Sequence, residues 1–185
     1  MKINTLHFLV HPGFSLAIEE KVRRSRIPRE LTQRERENEM ELLANYREKI
    51  DGLNESDVLV IFSPSEKRTY LRDFREGKEW TTTERYARDK LGDRCIVLTN
   101  PDFLRSSKKS DSLNRLWNIL ERRGFDFPED TPCEVWGTSL PTCVIDTADE
   151  IFRQFKLKEY PVIPVKATNY GNLTQQEIEE LEKRL

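Results

Sequence analysis

The stretch VWGTSLPTCVIDTADEIF, Val135 to Phe152, changes its hydrophobic period partway through. Up to Gly137 it continues a short strand-like run, CEVWGTS at 133–139. From Thr142 onward Val144, Ile145, Ala148, Ile151, Phe152 and Phe155 fall on one stripe at helical spacing. The residues between are small, polar or proline, so Gly137 to Thr142 are expected to form a tight turn. Pro141 helps to set that turn, and a cis peptide is an option near Ser139–Pro141. A strand that turns directly into a helix is the repeating unit of a parallel sheet, and here it puts Cys143 at the head of the helix.

The same alternation extends outward in both directions. Four further apolar runs read as strands: TLHFLV (5–10), DVLVIFS (57–63), RCIVLTN (94–100) and YPVIPVKAT (160–168). The last carries Pro161 and Pro164, which cannot donate to a ladder, so it is expected at an edge or bulged. Helix patterns lie between the strands. Leu43, Tyr46 and Ile50 recur at helical spacing after a polar stretch whose Thr32 and Glu35 have capping-box spacing. Residues 66–74 and 83–92 are shorter candidates. The 110–124 segment sets Leu113, Leu116, Trp117 and Leu120 on one face and stops at Gly124. A final helix is expected after Thr174, boxed by Glu177. The expected fold is a single α/β domain over 1–185. It has three α/β/α layers around a doubly wound, mainly parallel sheet of five to six strands.

Composition removes several functions. The net charge is -2, so no general basic field draws the chain to nucleic acid or membrane. The basic run KVRRSR, 21–26, reads as a solvated loop or a phosphate contact. No apolar stretch reaches the roughly 20 residues of a membrane span, and LHFLV is too short for a signal peptide. Three cysteines without C-x-x-C spacing, and two histidines close together at 7 and 11, suggest neither a disulfide framework nor a zinc site. A reducing, cytoplasmic setting is expected, with no metal and no cofactor.

In an open α/β sheet, ligands bind beyond the carboxyl ends of the strands, where strand order reverses. The residues at those ends are His11, Pro12 and Gly13; Ser63, Ser65 and Glu66; Thr99, Asn100 and Asp102; and Thr138, Ser139, Thr142 and Cys143. In the common strand order His11 and Cys143 face each other across the switch point. A helix N-terminus favours thiolate over thiol and can stabilise an oxyanion, and His11 can act as a general base or acid. Cys143 is therefore read either as a nucleophile or as a small buried apolar residue. Asn100, Ser139 and Thr142 are candidate substrate contacts, and Phe14 and Phe62 are candidate walls for a planar ligand, although aromatics beside a sheet are more often core. Phe103 and Trp136 are read as pocket walls or as core.

GTSLPTCVIDTA resembles the nucleophile segment of the isochorismatase-like cysteine hydrolases, through Gly137, Cys143, Val144, Thr147 and Ala148. The element order fits the family over nearly the whole chain, and VIPVKATNYGN resembles its closing strand. The resemblance implies an Asp–Lys–Cys triad and a homo-oligomer. Only the cysteine is kept. The aspartate position falls on Leu9 or His11, and the lysine position on Thr99 or Asn100. The Asp-x-His metal pattern of the nicotinamidase branch is missing from SPSEKRTY. Two functions follow as expectations. One is a non-catalytic member of the fold that binds a small ligand or a protein partner. The other is a divergent cysteine hydrolase of a small amide or ester, using Cys143 with His11. A nucleotide binder is a weaker third, since G-x-G-x-x-G and the P-loop are both absent. The helix at 113–120 is the expected oligomer surface, because its Trp and Leu stripe is large for one sheet to cover.

Overall fold

The computed structural model describes residues 1–12, 33–64, 79–100, 106–138, 143–164 and 168–169. Strands β1 (Leu6–Val10), β2 (Val58–Pro64), β3 (Cys95–Asn100), β4 (Cys133–Thr138) and β5 (Thr168–Asn169) alternate with helices α1 (Gln33–Asp51), α2 (Glu79–Leu91), α3 (Ser106–Arg122) and α4 (Ile145–Gln154). All described pairings are parallel, in the order β3-β2-β1-β4-β5. The chain winds outward from β1 to β3, then returns to the other side of β1 as β4. The switch point therefore lies between β1 and β4.

Strand alternation sorts the core into two layers. Leu6, Phe8 and Val10 of β1, with Val58, Val60, Ile96, Leu98 and Val135, face α3 and α4 through Leu113, Leu116, Leu120, Ala148 and Ile151. Leu9, Leu59, Ile61 and Trp136 face α1 and α2 through Leu42, Leu43, Tyr46, Ile50, Ala87 and Leu91. All five β1 residues are buried because both sheet faces are covered. Each fully buried aliphatic side chain contributes about 1.5–3 kcal/mol.

Several boundaries differ from expectation. α2 begins at Glu79 and α3 at Ser106, both earlier than the apolar periodicity suggested. Helix termini are polar, so hydrophobic spacing underreports them. α3 ends near Gly124, which takes φ 69 while Phe125 N–H returns to Leu120 O at 2.9 Å. Gly137 and Thr138 complete β4 instead of opening a turn. Among the described residues, the expected fifth strand is present as Thr168–Asn169. Upstream of it, Val162 alone bridges to Glu134 between the two prolines. The expected helices at 66–74 and after Thr174, the Thr32 cap and the cis peptide fall outside the described residues.

Candidate ligand site at the switch point

β1 and β4 run in register, with Val10 opposite Gly137, so their carboxyl ends meet at one edge. Gly137 has φ 129, and a Cβ there would lie 2.2 Å from Val10 O and 2.7 Å from Val10 N. Only glycine allows the two backbones to approach so closely. The next residue of β1's strand path, His11, adopts φ 49 although it is not glycine. It is only 2% exposed, and its N–H bonds to Phe62 O at 3.1 Å. Two unusual backbone conformations thus sit on paired strands at the strand-order reversal, where such strain tends to accompany function.

Cys143 and Val144 form a wider helical turn that leads into α4. Thr147 Oγ1 donates to Cys143 O at 2.5 Å and closes that turn. Cys143 is half-buried and packs against the apolar layer of α3 and α4. The other two thiols are buried in the core, where desolvation pushes Cys95 up to about 11 and Cys133 up to about 12. Asp149 accepts from Tyr160 Oη at 2.9 Å. Burial first, and then this bond, push the Tyr160 hydroxyl well above the usual phenol range.

The structure therefore brings His11, Gly137 and the α4 entrance to one edge. Phe62 is a core residue, 4% exposed and stacked on Phe8 at 6.0 Å, rather than a pocket wall. Trp136 is fully buried against Tyr46. Asn100 ends β3 opposite Pro64, with two strands, β2 and β1, between it and β4. Phe14, Ser139 and Thr142, like Phe103, lie outside the described residues. Leu9, one of the two residues matched to the triad aspartate, is wholly buried in the α1–α2 layer.

Sequence reasoning missed a carboxylate at this edge. Ser63, on the strand beside β1, is 3% exposed and donates its hydroxyl to Glu84 Oε1 of α2. Glu84 lies in a charged helix pattern, and only the fold carries it to the end of β2. A second polar group lies at the opposite, amino edge. His7 Nδ1 stands 3.2 Å from Glu134 Oε2, its cross-strand partner, and Nε2 stands 3.8 Å from Asp57 Oδ2. Neither nitrogen makes an aligned hydrogen bond among the described residues, so these are close polar contacts without hydrogen-bond alignment. Lys49 Nζ reaches Glu134 Oε2 at 2.6 Å and lies 5.6 Å from the Trp136 ring centre. His7 above all, with help from Lys49, holds the Glu134 carboxyl down at about 2 against the opposing effect of burial.

Among the described residues no group of three potential His, Cys, Asp or Glu ligands is placed to hold a metal, and no helix is long and apolar enough to cross a membrane. No family model, no curated protein and no solved structure matches the chain.

Proposed function

We propose that this chain is a non-catalytic, isochorismatase-like α/β domain that binds a small molecule at the β1–β4 switch point. One observation carries the reading: the left-handed, buried His11 lies beside the Gly137–Val10 close approach, at the carboxyl edge where strand order reverses. Packing of Cys143 against the apolar layer supports binding over hydrolysis. Nicotinamide and benzoate, a planar carboxamide and a planar carboxylate, are the first probes. NMR titration is expected to shift the His11 ring and the Gly137 amide saturably, with no ammonia released from nicotinamide. No perturbation of either residue by either probe would remove the reading.

The hydrolase is the second reading, supported by Cys143 being the one half-buried thiol at a helix entrance. Iodoacetamide separates the two. With a pKa of about 11, only one Cys95 thiol in roughly a thousand is ionised at pH 8, and Cys133 fewer, so both are expected to stay unlabelled until the protein unfolds. Labelling of Cys143 that is fast near pH 7 and slowed by His11→Ala favours the hydrolase. Slow labelling that ignores His11→Ala favours binding. A homo-oligomer belongs to the same proposal. The sheet covers Leu113, Leu116 and Leu120, but Trp117 stays 48% exposed beside Phe127 and Phe155. Light scattering is expected to show more than one chain per particle, and Trp117→Glu to reduce it to one.

A further inference from the structure

We propose that a cavity at the amino edge of the sheet binds a small organic cation of the amine or guanidine class. It has a volume of about 420 Å³ and is separate from the switch point. Three segments build it: residues 2–4 before β1, 54–56 between α1 and β2, and 128–132 between α3 and β4. Backbone bonds hold these segments together. Asn4 N–H donates to Ser56 O at 3.0 Å, Leu6 N–H to Pro132 O at 2.9 Å, and Thr131 N–H to Pro128 O at 2.9 Å. Arg94 Nη1 grips Asn54 O at 2.7 Å and Asp57 O at 3.1 Å. The cavity is thus formed by the fold before any ligand arrives, which lowers the entropy cost of binding.

The chemistry of the walls selects the ligand. Asp57 is 3% exposed, and a carboxylate offers acceptors only. It takes the side-chain NH2 of Asn4 at 3.4 Å and of Asn54 at 3.2 Å, together with Asn54 N–H at 2.8 Å. That fixes the orientation of both amides. Each gives one NH2 hydrogen to Asp57 and keeps a carbonyl oxygen as an acceptor besides its second N–H. Both asparagines line the cavity, as do the exposed carboxylates of Glu55 and Asp130. Pro128 and Pro132 contribute no N–H. Among the described lining residues the side-chain donors are Lys2, the second N–H of Asn4 and of Asn54, and the hydroxyls of Ser56 and Thr131. Thr131 is 5% exposed, and its Oγ1 has no hydrogen-bond partner among the described residues. A wall rich in acceptors, with two carboxylates against one ammonium, suits a ligand that carries several N–H donors and positive charge. An anion would meet the two carboxylates instead.

The test is an amide-resolved NMR titration of the full chain with putrescine, at physiological salt to screen loose surface attraction. Butane-1,4-diol, the same carbon chain without charge, and succinate, its anionic counterpart, are the controls. Putrescine is expected to shift Asn4, Asn54, Ser56 and Thr131 saturably, while neither control does. Glu55→Gln combined with Asp130→Asn, both at exposed positions, is expected to melt with the wild type and to weaken putrescine binding about tenfold or more. The proposal is overturned by any of three results: no saturable shift at millimolar putrescine, equal binding of the diol, or unchanged affinity in the double variant. Nicotinamide and benzoate report on the other edge, so either reading can fail without the other.

Discussion

The two ends of the β1–β4 pair are joined in opposite ways. At the carboxyl end the backbones close on each other, and Gly137 leaves no room for a side chain over Val10. At the amino end the same strands are joined through side chains, His7 against Glu134, with Lys49 and Asp57 completing the charges. One end depends on shape and resists almost any substitution. The other depends on charge, so it responds to pH and to salt. A parallel pair has similar backbone bonds along its length, so the difference comes from the residues at its two ends.

The largest expected effect is at the carboxyl end. Gly137→Ala sets a methyl group 2.2 Å from Val10 O and must push the strands apart. It is expected to cost about 4 kcal/mol or more in urea unfolding, at the upper end for single substitutions. Gly124→Ala is the matched control: it shares a positive φ, 69, but a Cβ there meets nothing within 4 Å. It is expected to cost only about 1 kcal/mol. Equal losses at the two glycines would show that conformation, and not the close approach, governs the switch point.

The amino end is tested by acid. Glu134 is held near 2 in the fold, below the ordinary carboxylate value of 4.5. Its contribution is therefore fully present above pH 4.5 and is lost as the pH falls from there towards 2. The loss is expected to be about 2–3 kcal/mol, read from unfolding curves across that window. Glu134→Gln should flatten that part of the profile. An unchanged profile in the variant would mean that the contacts around His7 contribute no net stability.

The smallest expected effect is at Thr131. Its hydroxyl has no partner among the described residues, so Thr131→Val removes a polar group without breaking a bond. Stability is expected to hold or rise by up to about 1 kcal/mol in thermal unfolding. A clear loss would show that this hydroxyl is satisfied in solution, and would separate its role from that of Asp57.

The hydrophobic periods alone were enough to define the α/β class, the strand–helix alternation and the placing of Cys143 in the helical turn that leads into α4. Period 2 and period 3.6 are local properties, readable from consecutive residues. Strands carry this signal well when both faces are buried, as the residues of β1 show. Helix ends carry it poorly, hence the early starts of α2 and α3. Phe62 illustrates a further limit, because an aromatic residue at a strand end can serve a pocket although it is more often core, and its burial and stacking on Phe8 decide for the core.

The polar sites needed the tertiary structure. His7 and Glu134 are 127 residues apart in the chain and become neighbours only through the β1–β4 register. Glu84 reaches Ser63 because α2 packs back over the sheet, and nothing in its helix pattern distinguishes it from the other charges there. The need for glycine at 137 depends on where the Val10 backbone runs, which no local pattern encodes. Burial periodicity is written along the chain. Charge pairing and close backbone approach are set between distant segments, and become visible only once the fold has brought those segments together.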